Sequence, residues 1–225
     1  MQAVILAAGR GTRLQPLTDT TPKPMLKVGG KPILEHIIFS LPNQIDEVLI
    51  VVEYLREQIE NHFGDSFYGK KIRYVTQSKI KGTYGAIFSA KQYLTPGKFL
   101  TIGGDDLHNK KELSELVKIK RALGFSYKPT PSKNFLVLEY NDEKYLTGAR
   151  RAQENEGIIP IATGAYVLDE HLWNYPMVNV GGEEYGLPQS ILLMNKDFPV
   201  TICEQKSWFQ INTSIDLKKA NDLFS

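Results

Sequence analysis

The sequence has little of several features that mark common protein classes. Its 225 residues include a single cysteine, Cys203, so no disulfide can form within the chain. No apolar run reaches the ~18 residues that span a bilayer, and no charged leader precedes the first apolar segment. The four histidines lack metal-ligand spacing, and a formal net charge of +2 gives no general attraction to nucleic acid. We therefore expect a cytoplasmic protein that binds neither membrane nor nucleic acid.

The start of the chain predicts a buried strand that leads into a glycine-rich, cationic loop. Residues 3–8 (AVILAA) are all apolar, as in strands covered on both faces. Gly9-Arg10-Gly11-Thr12-Arg13 follows directly, and Pro22-Lys23-Pro24 then fixes one lysine on a stiff stretch of backbone. Ligands of open α/β sheets bind at the carboxyl ends of strands, where glycines let backbone N–H groups approach an anion. The combination predicts a phosphate-binding site.

Two common phosphate-binding loops are excluded. No Gly-Lys-Ser/Thr follows the turn, so the loop is not that of the P-loop NTPases. Leu14 stands where the dinucleotide-binding fingerprint requires its third glycine. An ordinary strand-to-loop turn with surface arginines is the alternative, and the proline-framed Lys23 makes phosphate binding the favoured interpretation.

Apolar strands and amphipathic helices alternate along the first half of the chain. Predicted strands lie at 47–52, 71–76, 98–102, 134–140, 144–151 and 159–168. Predicted helices lie at 32–41, 55–63, 83–94, 110–123 (ended by Gly124), 186–194 and 213–224. This order predicts an α/β fold, with an open, mostly parallel, doubly wound, Rossmann-like sheet and a small antiparallel extension.

A second apolar strand ends in carboxylates. Residues 99–102 (FLTI) lead into Gly103-Gly104-Asp105-Asp106. Mg²⁺ takes one or two carboxylates and completes its shell with phosphate and water, so a carboxylate beside a phosphate loop suits it. On its own, the aspartate pair would be better explained as a turn cap before Lys110. Beside the loop, a metal site is favoured, with Asp105 as first choice and Asp106 as second.

Polar residues after another predicted strand suit a pyrimidine base. The amide of Gln77 carries an acceptor and a donor, which complement the N3–H and O4 edge of uracil or thymine. Gly82 and Thr83 open the next helix, where backbone N–H groups lack helical partners. A polar strand end followed by an ordinary threonine cap is the alternative.

The segment LAAGRGTR, residues 6–13, together with Pro22-Lys23-Pro24, resembles the signature of the sugar-1-phosphate nucleotidyltransferases. VGGKPILEH, residues 28–36, is similar to the turn that enters that family's first long helix. The resemblance implies transfer of a nucleoside monophosphate from UTP or dTTP to a sugar 1-phosphate, with Mg²⁺ as cofactor. We then expect one domain over 1–225, with a nucleotide-binding half (1–125) and an acceptor-binding half (126–225). Its partners would be small-molecule substrates, and self-association stays open.

The resemblance also implies roles for individual residues. Arg13 and Lys23 match the catalytic cations, and Asp105 matches the aspartate that holds the metal. Nucleotide contacts are implied for Leu6, Ala7, Ala8, Gly9, Gly11, Thr12, Gln77, Gly82, Thr83 and Gly104.

The second metal ligand has two candidates. Aligning Asp216-Leu217 with uridylyltransferase relatives places Asn212 at the position of a metal-binding Asn. The thymidylyltransferase register places Gln210 there instead, and glutamine is a poor Mg²⁺ ligand, so Asn212 is preferred. A helix-capping role is the alternative for Asn212.

The acceptor side departs from the family pattern. Gly164 matches a glycine in the floor of the sugar site, and Glu183 lies where an acidic residue often meets sugar hydroxyls. The family's Glu-Glu-Lys-Pro is replaced by Ala-Arg-Arg-Ala at 149–152, so Arg150 either binds an acidic acceptor or lies on a solvated strand edge. Two alternative functions stay open: the same chemistry on a non-sugar phosphate such as phosphocholine, and a non-catalytic module that binds nucleotide sugars.

Overall fold

A mixed sheet, covered by helices on both faces, results from the alternation of strands and helices. The computed structural model describes residues 1–130 and 136–224. Its strands are β1 (Gln2–Leu6), β2 (Lys27–Val28), β3 (Lys31–Pro32), β4 (Glu47–Val52), β5 (Ser66–Phe67), β6 (Lys70–Thr76), β7 (Phe99–Gly103), β8 (Asp106–Leu107), β9 (Ala122–Pro129), β10 (Leu136–Tyr140), β11 (Leu146–Arg151), β12 (Ile158–Leu168), β13 (Val178–Gly181), β14 (Glu184–Gly186), β15 (Thr201–Glu204) and β16 (Phe209–Gln210).

Six α-helices are found among the described residues. They are α1 (Ile33–Ser40), α2 (Arg56–Phe63), α3 (Gly82–Ala90), α4 (Lys110–Leu116), α5 (Leu187–Met194) and α6 (Ser214–Phe224). Short 3₁₀ turns lie at Thr12–Leu14, Lys23–Met25, Lys91–Tyr93 and Glu170–Asn174. No helix within residues 1–130 and 136–224 is long and apolar enough to cross a membrane.

The main sheet has a parallel centre and an antiparallel side. Its order is β11-β10-β12-β7-β1-β4-β6-β5, with β9 paired to β12 and β15 paired to β9. Strands β7, β1, β4 and β6 run parallel, whereas β12 runs antiparallel to β7, β9 and β10. The predicted fold class, an open sheet with a parallel centre and an antiparallel extension, is confirmed.

The central strand β1 separates two hydrophobic cores. Ala3 and Ile5 face one core, which includes residues of α1, α2, α4 and α6. Val4 faces the other core, which includes residues of α3 and α5. All three side chains are fully buried, which explains why β1 is apolar without alternation. This central position fixes the loop that follows β1 at the middle of the sheet's edge.

The predicted helix at 110–123 is wrong in its second half. Helix α4 ends at Leu116, and β9 begins at Ala122. Gly124, predicted to end the helix, lies inside β9, where a Cβ would overlap Gln205 Oε1 and lie 2.6 Å from Thr163 Oγ1. A short apolar run buried in the sheet cannot be distinguished from a helix segment by periodicity alone.

The predicted strands 134–140 and 144–151 are present as β10 and β11, which pair antiparallel in the predicted extension. Of the predicted strand 134–140, residues 134 and 135 lie outside the described residues. The other predicted strands and helices are present, with ends that differ by a few residues.

A buried ion pair joins the start of β9 to the end of β12. Arg121 Nη1 lies 2.6 Å from Asp169 Oδ2, and the side chains are only 9% and 6% exposed. Arg121→Met should lower the free energy of unfolding by about 3–5 kcal/mol, because it leaves a buried carboxylate without its cation. Urea unfolding followed by circular dichroism measures this. The exposed Arg151→Met is the control, expected to change stability by less than about 0.5 kcal/mol. Equal stability of the two variants would contradict the prediction.

Candidate active site

The loop after β1 is folded back on itself by a close contact at Gly11. Gly11 has φ +66°, and a Cβ there would lie 2.9 Å from Lys23 Cβ. Thr18 Oγ1 donates to Gly11 O at 2.9 Å. Gly11 therefore contacts both Thr18 and Lys23, and the segment between Gly11 and Lys23 forms a closed loop. The glycine therefore brings the proline-framed lysine back against the loop that leaves β1.

A cavity of about 230 Å³ lies between this loop and the end of β7. The register of β1 with β7 pairs Leu6 with Gly103, and Gly104 N–H donates to Leu6 O at 2.9 Å. Asp105 follows at once, so its carboxylate stands beside the loop. The cavity is lined by Leu6, Ala7, Gly9, Gly11, Thr12, Arg13, Lys23, Pro24, Gly104 and Asp105.

Two cations and two side-chain oxygens converge at this cavity. Lys23 Nζ forms an ion pair with Asp105 Oδ2 and lies 3.4 Å from Asn212 Oδ1. Arg13 Nη2 donates to the same Asn212 oxygen at 2.9 Å. The Lys23 side chain is 11% exposed and that of Asp105 is 24% exposed. Segments far apart in the sequence are thus joined in one charged cluster of Arg13, Lys23, Asp105 and Asn212.

The oxygen pair in this charged cluster suits a hard cation. Asp105 Oδ2 and Asn212 Oδ1 both accept from the Lys23 ammonium, so they face a common point. Mg²⁺ is bound in proteins by one or two carboxylates plus phosphate and water, which two such oxygens beside a phosphate loop would provide. Within residues 1–130 and 136–224, no group of three or more His, Cys, Asp or Glu side chains could hold a metal.

The two candidates for the second metal ligand differ in their surroundings. Asn212 contacts the charged cluster directly. The Gln210 backbone pairs with that of Asp106, and its side chain hydrogen-bonds to the Asp106 carboxyl. The geometry therefore favours Asn212 over Gln210.

A larger cavity of about 1020 Å³ continues from Arg13 across the ends of β1, β4 and β6. It is bounded by the start of α3 and by the β13–β14 hairpin, and Leu6, Ala8, Gly9, Gln77, Gly82, Thr83 and Glu183 all line it. Gln77 Nε2 donates to Ile80 O at 3.2 Å. Because a carbonyl only accepts, this bond fixes the orientation of the amide and leaves Oε1 free to accept from a ligand.

The start of α3 is tied to the β13–β14 hairpin. Gly82 has φ +84°, and a Cβ there would lie 2.6 Å from Tyr185 N. Tyr185 N–H donates to Lys81 O at 3.0 Å, and Leu187 N–H donates to Thr83 Oγ1 at 2.9 Å. The Thr83 hydroxyl thus accepts from the residue that directly follows β14. The start of α3 and the β13–β14 hairpin, which form two walls of the larger cavity, are therefore bonded to each other.

The predicted acceptor residues are placed in three different settings. Glu183 lines the larger cavity, between β13 and β14. Gly164 lies over the Asp106 carboxyl, and Arg150, on β11, pairs its guanidinium with the Glu156 carboxylate. Neither Gly164 nor Arg150 lines the two cavities described above. Acceptor contacts by these two residues stay predictions without geometric support.

Sequence reasoning missed several residues of the cleft. Glu53 and Tyr54 directly follow β4 and line the larger cavity, where Lys81 Nζ pairs with Glu53 Oε1 at 2.8 Å. The Arg10 guanidinium lies 4.9 Å from the centroid of the Tyr54 ring. The strand-end rule that identified Asp105 could also have found Glu53 and Tyr54, because β4 is parallel to β1.

Comparison with known proteins identifies relatives of this chain. Residues 2–134 match the model of a family described as nucleotidyl transferase. The chain is 36% identical over 173 residues to the bifunctional protein GlmU of Methanocaldococcus jannaschii, which covers 77% of this chain and 41% of that protein. The chain therefore spans about two fifths of the length of this relative.

Two further matches cover nearly full lengths. The chain is 28% identical over 197 residues to the D-glycero-alpha-D-manno-heptose 1-phosphate guanylyltransferase of Aneurinibacillus thermoaerophilus, covering 85% of this chain and 84% of that protein. A crystal structure of a provisionally assigned glucose-1-phosphate thymidylyltransferase from Bacillus anthracis superposes with a TM-score of 0.86. Its identity is 22%, over 100% of this chain and 95% of that chain, so the likeness shows the fold.

Two glycines with positive φ allow a matched test of the phosphate site. Gly11→Ala should weaken binding of inorganic tripolyphosphate by at least about tenfold, because a Cβ displaces Lys23. It should also cost about 1–3 kcal/mol of stability, since alanine is strained at positive φ. Gly69→Ala is the control, because Gly69 also has positive φ (+73°), nothing lies within 4 Å of its Cβ position and it lines neither cavity. Isothermal titration calorimetry measures the binding, and equal affinities of the two variants would contradict the role of Gly11.

Proposed function

Because this chain belongs to the nucleotidyl transferase family, we propose that it transfers a nucleoside monophosphate from UTP or dTTP to a sugar 1-phosphate. The products are a nucleoside diphosphate sugar and pyrophosphate. One observation carries the proposal: Arg13, Lys23, Asp105 and Asn212 converge at the carboxyl ends of two neighbouring parallel strands. A triphosphate needs cations and a metal-binding oxygen pair at one place, and the charged cluster supplies both.

In the proposed reaction, an oxygen of the acceptor phosphate attacks the α-phosphorus of the triphosphate. A new P–O bond forms as the bond to pyrophosphate breaks, in line, so no covalent enzyme intermediate is required. Arg13 neutralises the departing β- and γ-phosphates, and Lys23 holds the α-phosphate and the acceptor phosphate. The loop from Gly9 to Thr12 supports the phosphates with its backbone. Catalysis on this scheme is positioning plus charge neutralisation.

Asp105 and Asn212 are the residues that would hold Mg²⁺. When bound, Mg²⁺ supplies further neutralisation of the phosphate oxygens. Lys23 and Arg13 already contact the two ligand oxygens. Each cation that turns toward a phosphate therefore frees an oxygen for the metal, which links nucleotide binding to metal binding.

The base preference rests on the fixed amide of Gln77. One hydrogen of Nε2 is used by Ile80 O, so Oε1 can accept from N3–H of uracil or thymine, and the second hydrogen can donate to O4. Cytosine lacks the N3 hydrogen and presents an amino group in place of O4. Purines differ in size as well. Because some relatives are named for other nucleotides, the base preference has to be measured on this chain itself.

The acceptor half is proposed to form one domain with the nucleotide half. Strands β10, β11 and β12 from the second half continue the sheet built by β7, β1, β4 and β6, which supports a single domain over 1–225. Glu183 on the hairpin is the proposed contact to acceptor hydroxyls, because it lines the larger cavity. A cytoplasmic location stays a prediction.

Donor and acceptor panels test the function and the role of Gln77 together. With glucose 1-phosphate, a heptose 1-phosphate and phosphocholine as acceptors, pyrophosphate release should show kcat/KM for UTP or dTTP about 10²-fold or more above CTP, GTP and ATP. Gln77→Glu should erode this preference, because a carboxylate cannot donate to O4. Gln92→Glu, exposed and outside both cavities, is the matched control.

Three outcomes separate the alternatives in these panels. A wild-type preference for CTP, GTP or ATP would contradict the role of Gln77 and leave the transfer reaction standing. A preference for phosphocholine would replace the sugar acceptor. Absence of pyrophosphate with every pair would contradict the proposed function and favour a binding module.

The metal role of Asp105 gives a separate prediction. Asp105→Asn should lower kcat by at least about 10²-fold at saturating Mg²⁺, because it removes the charged ligand of the proposed metal. Asp142→Asn, in the exposed turn between β10 and β11, is the control and should keep wild-type turnover. Steady-state pyrophosphate release measures both, and near wild-type turnover by Asp105→Asn would exclude it as a metal ligand.

A further inference from the structure

Asp106 is a buried carboxyl that the proposed reaction does not use. It follows Asp105 directly, yet it is only 2% exposed and its Oδ1 accepts from the indole Nε1 of Trp208 at 2.9 Å. Burial, together with the neighbouring Asp105 carboxylate, raises the pKa of Asp106 well above its usual range. A carboxyl that is costly to bury beside a second carboxyl is expected to have a specific role.

The space for this carboxyl is made by two glycines on different strands. A Cβ on Gly103, at the end of β7, would overlap Asp106 Oδ2. A Cβ on Gly164, inside β12, would overlap the same oxygen, and Gly164 has φ +77°. Gly164, assigned from the sequence to the sugar site, therefore packs directly against the Asp106 carboxyl. Strands β7 and β12 thus both accommodate a side chain that bonds to the C-terminal segment.

The backbone pairing of the C-terminal segment is short at this point, beside the fully buried Ile211 and the bonds of Asn212 to Arg13 and Lys23. Strand β16 pairs with β8 through two residue pairs, Phe209 with Leu107 and Gln210 with Asp106. Ile211 N–H then donates to Asp105 O at 3.0 Å, and Asn212 is the next residue. An isolated two-stranded ribbon is marginally stable, so two residue pairs alone would hold Asn212 loosely. The indole–carboxyl bond adds a side-chain connection from Trp208, which directly precedes β16, to Asp106 in β8.

We infer that Asp106 and Trp208 are positioning residues, whose hydrogen bond holds the C-terminal segment in the register that places Asn212 opposite Asp105. The inference rests on the proposed function only in taking Asp105 and Asn212 as ligands of a divalent cation. Neither Asp106 nor Trp208 lines either of the two cavities. Supporting partners of metal ligands fix ligand orientation, and their loss typically costs 10–100-fold in metal affinity.

The chain offers a matched pair of variants, because it has two tryptophans. Trp208→Phe keeps a buried aromatic ring, removes the N–H that donates to Asp106 and reduces the ring volume, a reduction that the second variant reproduces. Trp173→Phe makes the same change beside the core that includes α3 and α5, where the ring stacks on Phe99 at 6.0 Å between centroids. Asp106→Asn keeps an acceptor oxygen for the indole and removes the carboxyl.

Binding of Mn²⁺ alone, followed by electron paramagnetic resonance well below the melting temperature, is the primary measurement. Trp208→Phe should raise the Kd for Mn²⁺ by about tenfold or more. Trp173→Phe should leave it unchanged, and Asp106→Asn should stay within about threefold of the wild type. In pyrophosphate release, Trp208→Phe should raise the Mg²⁺ concentration for half-maximal rate, while kcat at saturating Mg²⁺ and the KM for the triphosphate stay near wild type. A purely structural role would instead lower melting temperature without this selective change.

Several outcomes would overturn the inference. It fails if Trp208→Phe binds Mn²⁺ as the wild type does, or if Asp106→Asn weakens binding as much as Trp208→Phe. It also fails if wild-type Mn²⁺ binding is absent or does not depend on Asp105. Failure of the proposed function is recognised separately, by a wild type that releases no pyrophosphate from any triphosphate.

Discussion

The contact on which the site depends is the close parallel approach of β1 and β7 at their carboxyl ends. Gly104 N–H donates to Leu6 O at 2.9 Å, and a Cβ on residue 104 would lie 2.7 Å from that oxygen. Only glycine lets the two strands end this close together. The cationic loop after β1 and Asp105 after β7 therefore leave the sheet side by side. Without this approach, Lys23 could not reach the carboxylate of Asp105.

Each cation of the charged cluster already has an oxygen partner before any substrate is considered, and one positive charge stays unneutralised. Lys23 pairs with Asp105, and Arg13 donates to the oxygen of Asn212. A cluster built this way holds its cations in place by attraction to neighbouring oxygens, so little reorganisation is needed when phosphate oxygens replace them. The same arrangement explains how two cations can lie close together in a partly buried cleft. Asp106 supports the charged cluster indirectly, because its bond to Trp208 fixes the register of the segment that carries Asn212.

The sequence was sufficient to predict the parallel centre of the sheet, because β1, β4 and β7 are apolar runs separated by segments with helical periodicity. Convergence of the phosphate loop and Asp105 followed from the rule that parallel strands end at one edge. One error of placement has a physical cause. Gly124 ends a helix in the prediction and lies inside β9, since a short apolar run fits either element. The contact between Gly164 and the Asp106 carboxyl could not be predicted, because packing between strands far apart in the chain leaves no local sequence signal.

The junction of Gly82 with Tyr185 has a consequence for exchanging segments between relatives. The hairpin that carries Glu183 runs its backbone against Gly82, where any larger residue would overlap it. Leu187, the first residue of α5 directly after the hairpin, also donates its N–H to Thr83. A chimera that imports a hairpin of different length would therefore shift the wall of the larger cavity at the start of α3. The two walls of this cavity can be exchanged between relatives only together, with residues 82 and 83 transplanted along with the hairpin.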